Sequence, residues 1–238
     1  MRVFAGPNGS GKTTIFKTLL SENKIDLGVY VNADEIEELL QKSASIPFSE
    51  FQLQVSNTHL RAFFKSSTFS PVKRNEPDLW QKLEVKDNSL LVTTKIDSYL
   101  AADLAEYIRQ GLLDSGVSFT YETVMSHPHK VRFMQLALEK GYRVYLYYIA
   151  TEDPEINISR VNVRVAQHGH AVLPEIIKNR YYKSLENLNS AVKSSSRAYV
   201  FDNSGKQAQL IAEISDGFTV TPNEAVSVPN WVANHLLG

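Results

Sequence analysis

Apolar and polar positions along this chain switch between two periods. Val3-Phe4-Ala5 is a short apolar run, so residues 2–5 are expected to form a strand, and 12–22 follow with helical spacing. Residues 28–32 predict a second strand and 33–42 a second helix. From Ser45 to about Ser89 the pattern weakens: Pro47, Pro71 and Pro77 interrupt polar clusters, and Phe63, Phe64 and Trp80 look exposed. This stretch is too rich in Phe, Leu and Trp for disorder, and we expect an insertion over one face of the sheet.

Regularity returns at 97–113, where Leu100, Leu104, Tyr107, Ile108 and Leu112 share a helix face. Residues 117–121 read as a strand, and 130–140 as a helix stopped by Gly141. Residues 142–150 are almost continuously apolar, as a strand buried on both faces should be. A helix at 155–166 is broken by His168-Gly169-His170, and Pro174 opens a long helix to about Ser194. Residues 197–201 form the last clear strand; the tail beyond Gly205 reads as a helical run and then a Pro-containing stretch with no placement.

Strands alternating with helices imply an α/β fold: a mainly parallel sheet with helices on both faces. The 238 residues suit one domain carrying the insertion at about 45–89. A net charge of −1 argues against a nucleic-acid or anionic-membrane surface, and no apolar run approaches a membrane span. The chain starts in its first strand, leaving no room for a signal peptide, and without cysteine it has no disulfide or thiolate metal site. A cytoplasmic protein is expected.

Between the first strand and helix stand Gly6-Pro7-Asn8-Gly9-Ser10-Gly11-Lys12-Thr13-Thr14. Gly6, Gly11, Lys12 and Thr13 match G-x-x-x-x-G-K-[ST], the P-loop, in its required strand-loop-helix setting. A glycine-rich loop can turn its N–H groups around a phosphate, and the helix adds free N–H groups and its positive dipole end. Lys12 would reach the β- and γ-phosphates of ATP or GTP, and the Thr13 hydroxyl would bind Mg²⁺. The fold class is therefore P-loop NTPase or kinase-like.

Ligands of such sheets lie at the carboxyl ends of the strands. The second strand ends in Asn32-Ala33-Asp34-Glu35, where Asp34 is either a helix N-cap or a functional carboxylate. The strand at 117–121 runs into Glu122-Thr123, and Glu122 has no obvious local partner. Arg160 and Arg164 share a helix face and Arg180 follows. They form either a solvated basic face or a lid, at about 160–182, that closes on a transferring phosphate. His168 and His170 alone make a weak metal site. The strand at 142–150 runs into Thr151-Glu152-Asp153 instead of directly into Asp, which argues against a mechanical ATPase and for a phosphotransferase.

The segments FAGPNGSGKTT, VNADEI, SFTYETVMS, GYRVYLYYIA, RVNVRVAQHGH, RYYKSLENL and VFDNSG stand in an order that resembles the zeta-toxin-like P-loop kinases, over roughly residues 2–205. The likeness is greatest to the branch often labelled predicted ABC-type ATPase. It implies an ATP-dependent kinase that phosphorylates a hydroxyl of a small molecule; the characterised toxins use UDP-N-acetylglucosamine. It further implies Asp34 as general base, Asn32, Glu122 and Thr123 toward substrate or metal, and Arg164, Arg160 and Arg180 as phosphate clamps. An antitoxin is an implied partner. The chain departs from the family pattern at His168-Gly169-His170, Pro174, Val124 and the insertion. Two other readings remain open: a polynucleotide-end kinase, hinted at by His59–Lys65 and Lys73-Arg74, and a nucleotide-regulated binding module without an acceptor.

Overall fold

The computed structural model describes residues 1–22, 26–167 and 171–237. In chain order these form β1 (Arg2–Ala5), α1 (Lys12–Ser21), β2 (Val29–Val31), α2 (Ala33–Ser43), β3 (Ser45–Pro47), α3 (Asn57–Ser66), α4 (Ser70–Lys73), β4 (Leu83–Lys86), β5 (Ser89–Val92) and α5 (Ser98–Asp114). There follow β6 (Phe119–Thr123), α6 (Pro128–Glu139), β7 (Tyr145–Ala150), α7 (Pro154–Ala166), α8 (Pro174–Glu186), α9 (Leu188–Lys193), β8 (Arg197–Asp202), β9 (Gln209–Ser215), β10 (Thr219–Pro222) and α10 (Asn230–Val232). The motif 168–170, expected to break α7, lies outside the described residues.

The main sheet has the order β10-β9-β8-β7-β1-β6-β2. β7 runs parallel to β1 and to β8, while β9 is antiparallel to β8 and β10. The fold is α/β, mainly parallel, of the P-loop kinase-like kind. The chain divides into two compact units, one of Met1–Asp26 with Tyr121–Gly238 and one of Leu27–Thr120.

In the first unit β7 is the central strand, and its residues 146, 148, 149 and 150 are fully buried, as the unbroken apolar run implies. Phe4, Tyr147 and Tyr199 stack across β1, β7 and β8, with ring centroids 4.5 and 5.0 Å apart. Two expectations are corrected here. Where a helical run is expected after Gly205, the chain instead forms the hairpin β9–β10. Ile211, Ala212 and Ile214 are buried, and Asp216 and Gly217 make the tight turn with φ of 52° and 74°. The long helix opened by Pro174 is two: at Asn187 the side-chain amide donates to Met125 O (3.0 Å) and Lys183 O (2.9 Å), and α9 begins afresh.

In the second unit α2 and α5 pack together, burying Ile36 and Leu40 with Leu100, Leu104 and Ile108. The insertion makes a sheet of its own, β3-β5-β4, entirely antiparallel. Phe64, which looks exposed in the sequence, is fully buried, as are Phe48, Leu60, Leu79 and Leu83. The strands here are only three or four residues long, too short for a clear period.

Candidate functional site

The loop between β1 and α1 is held from several directions. Gly6, Gly9 and Gly11 have φ of 139°, 75° and 93°, a region that side chains disfavour. Their surroundings exclude a side chain as well: a Cβ would strike Ile149 O at Gly6, Asn157 O at Gly9 and the Asn203 amide at Gly11. At all three glycines the close neighbour is another part of the same unit.

Four of the loop's carbonyls are engaged. Lys12 Nζ donates to Gly6 O and Pro7 O, both at 2.9 Å. Asn157 Nδ2 donates to Asn8 O (2.6 Å), and Asn203 Nδ2 donates to Ser10 O (2.7 Å). The negative ends of these peptide dipoles are thereby committed to protein donors. α1 starts at Gly11 with no side-chain cap and no acidic residue in its first turn, whereas Asp97 and Asp153 cap α5 and α7. An uncapped helix start behind a glycine loop suits an oxyanion.

Sequence reasoning does not single out Asn157 or Asn203. Asn157 is fully buried on α7 and also accepts from the Thr151 hydroxyl. Thr151 O in turn accepts from Tyr181 Oη at 2.6 Å. Burial pushes the Tyr181 phenol up, with Glu152 adding to the effect, so it stays a donor. Asn203 follows β8, its backbone N–H on Ala150 O at 2.8 Å. The sequence signals for Asn203 are its place just beyond a strand and within the segment VFDNSG, neither of which assigns it a role, and Asn157 carries none.

At the carboxyl end of β6, Glu122 Oε2 accepts from Thr13 Oγ1 at 2.9 Å. β6 runs two residues further than expected, so Glu122 and Thr123 are inside it. Thr123 Oγ1 accepts from Met125 N (3.2 Å), shaping the turn at Met125, where φ is 58°. The structure thus brings Lys12, Thr13 and Glu122 to one place, although Thr13 and Glu122 are 109 residues apart in sequence.

The arginines divide. Arg180 reaches the Asn8 side chain at 3.5 Å, and Arg160 donates to Gly205 O at 3.3 Å. Arg164 is exposed, one turn beyond Arg160 on α7. Asp153, three residues past β7, caps α7 by accepting from Glu155 N at 2.8 Å.

In the second unit, Asn32 caps α2: its Oδ1 accepts from Asp34 N at 2.9 Å. The capping alternative for Asp34 is therefore corrected. Asp34 lies inside the first turn, its side chain exposed. Asn32 Nδ2 donates to Tyr30 Oη at 2.9 Å, which fixes the cap.

A loop of this form at the carboxyl end of β1 in a mainly parallel sheet is a phosphate-binding architecture. Comparison with known proteins agrees. The Zeta toxin family model matches residues 76–213, more than half of the chain. The chain belongs to the zeta toxin family. Among solved structures it resembles a chain of the AvrRxo1-ORF1:AvrRxo1-ORF2 crystal structure with sulphate ions (TM-score 0.55, 14% identity). That match covers 94% of this chain and 60% of the other. The same pair crystallised with ATP gives a TM-score of 0.53 at 16% identity, with the same coverage. A chain of the PezAT chromosomal toxin-antitoxin system of Streptococcus pneumoniae gives 0.55 at 16% identity, covering all of this chain and 78% of that one. At these identities the likeness is one of fold. An uncharacterized Haemophilus influenzae protein is 35% identical over 65 residues, which are 27% of this chain and 46% of that protein. The chain spans less than two thirds of that relative and of the AvrRxo1 chains. Among the described residues no helix is long and apolar enough to cross a membrane.

Proposed function

We propose that the chain is an ATP-dependent kinase that transfers the γ-phosphoryl group to a hydroxyl of a small molecule. The observation that carries this is the Thr13–Glu122 hydrogen bond beside a loop whose carbonyls are tied back by Lys12, Asn157 and Asn203. Family membership and the ATP-containing AvrRxo1 structure support it.

In this reading residues Gly6 to Thr14 cradle the triphosphate. Lys12, already at the loop, neutralises the β- and γ-phosphates. Thr13 and Glu122 offer hard oxygen donors side by side, which fits Mg²⁺, and Glu122 takes the role that an Asp ending β7 would otherwise have. The bound Mg²⁺ would supply charge neutralisation between the phosphates. Asp34, released from capping by Asn32, accepts the proton of the acceptor hydroxyl. Arg160, Arg164 and Arg180 stabilise charge developing on the transferred group. Asn32 and Thr123 contact the acceptor. A nucleotide sugar of the UDP-N-acetylglucosamine type is the acceptor implied by the family resemblance, and an antitoxin the implied partner; the PezAT system is such a pair.

The test is incubation with γ-labelled ATP and a panel of nucleotide sugars, small hydroxylated metabolites and RNA ends, followed by mass spectrometry of the product. A labelled nucleotide sugar would support the full reading. Label on RNA ends alone would turn it toward a polynucleotide kinase, and hydrolysis with no acceptor would overturn the transferase.

A further inference from the structure

The phosphate loop is braced by Asn203, and Asn203 is itself held by an ordered turn. Asp202 Oδ2 accepts from Ser204 N at 3.1 Å, closing an Asx turn around Asn203. Asp202 Oδ1 accepts from Ser204 Oγ at 2.8 Å, and that same Oγ accepts from Glu152 N at 2.8 Å. The Asp202 carboxylate thus sets the direction of the residue that bonds Ser10 O.

One further donor holds that carboxylate. Trp231, on α10, is only 4% exposed, and its Nε1–H donates to Asp202 Oδ1 at 2.8 Å. The indole is wedged beside the fully buried Tyr148 ring of β7, with centroids 6.2 Å apart. Tyr148 is fixed in turn by Ser184 at 2.9 Å. A buried indole N–H needs an acceptor, and Asp202 is the one supplied.

We propose that Trp231 is a positioning residue for the phosphate loop, acting through Asp202 and the 202–204 turn on Asn203. The proposal rests on the nucleotide-binding reading for its purpose, but its physical content is a relay inside one unit. Through this relay the segment after β10 keeps the Ser10 carbonyl tied back, so that the loop's mouth stays free for an anion. Ser204 holds the turn through both carboxylate oxygens, while Trp231 adds a donor to Oδ1 from outside it.

Trp231→Phe keeps a ring beside Tyr148 and removes only the N–H. Amide hydrogen exchange without nucleotide is read over peptides covering 6–14 and, as control, 131–140. Loss of one net hydrogen bond should speed exchange of the loop about two- to tenfold and weaken Mg-ATP binding by a similar factor. The control peptides should be unchanged. Asn203→Ala should do the same, and the double variant should be no worse than Asn203→Ala alone, because both changes cut one relay. Unchanged loop exchange in Trp231→Phe, or a double effect equal to the product of the two singles, would overturn the proposal. Should Trp231→Phe fail to fold, Asp202→Asn replaces it in the same cycle. A chain that does not bind Mg-ATP at all would refute the proposed function and leave the relay to be decided by the exchange data.

Discussion

Asn157→Asp isolates the bond that ties back the Asn8 carbonyl. Asn157 is fully buried, donating from Nδ2 to Asn8 O at 2.6 Å and accepting from the Thr151 hydroxyl. Aspartate has the same shape but no N–H, so an ionised oxygen would face the Asn8 carbonyl oxygen. The variant relieves this by taking a proton and donating O–H, which raises its folded-state pKa above the ordinary value of about 3.9. Keeping a proton that the unfolded chain has released costs about 1.4 kcal/mol for each tenfold strengthening of proton binding, or about 4 kcal/mol for a thousandfold one. Because the folded pKa is the raised one, the cost is absent below about pH 4 and grows as pH rises. It levels off once pH passes the folded value near about 7. Asn157→Ala, which leaves Asn8 O and the Thr151 hydroxyl without this partner, should cost about 1–3 kcal/mol at every pH. Urea unfolding read by tryptophan fluorescence measures both. The two tryptophans, Trp80 and Trp231, lie in different compact units, so a Trp80→Phe background reports on the unit containing Asn157. An Asn157→Asp chain within about 0.5 kcal/mol of its parent at pH 8, or a loss that does not shrink between pH 8 and 5, would refute the brace.

Lys12→Ala should abolish phosphotransfer while the urea midpoint stays near the parent's; near-normal turnover would remove the loop from the mechanism. Arg164→Ala should lower kcat roughly 10³-fold with little change in the KM for ATP, since its contact strengthens only as charge develops; an unchanged kcat would return it to a solvated helix face. At α2 the cap and the base should separate. Asn32→Ala should cost about 1 kcal/mol of stability, and Asp34→Asn should leave stability alone but lower kcat at least about 10²-fold. If Asp34→Asn works at the parental rate, Glu122 becomes the candidate base.

Much of this molecule is written in short-range pattern. β1, α1, β2, α2, α5, α6, β7 and α7 stand close to where the pattern places them, because each has a clear apolar face, or in β7 an unbroken apolar run, and a recognisable start or stop. The tail misleads for a local reason. The stretch after Gly205 reads as a helical run, although Asp216-Gly217 is a strong hairpin signal. The break at Asn187 depends on a carbonyl 62 residues away and has no local mark. The site shows the same division. Gly6, Gly11, Lys12 and Thr13 are fixed in a contiguous motif, and Glu122 is recognisable from its place beyond a strand. Asn157 and Asn203 do not stand out, because an amide that braces a distant backbone looks in sequence like any other asparagine. Asp34 stays between two roles in the sequence because Asn32, two residues earlier, competes for the cap, and only the hydrogen-bond geometry separates them.

The distance in sequence between the loop and its braces also sets a clock. Asn157 lies 149 residues after the carbonyl it holds, and Asn203 lies 193 after Ser10. At about 5–20 residues per second, a ribosome needs roughly 10–40 s after making Ser10 before Asn203 is synthesised. Throughout that interval the nascent chain carries a phosphate loop without its full set of anchors. Trp231 comes later still. The loop is made well before the residues that give it its final shape.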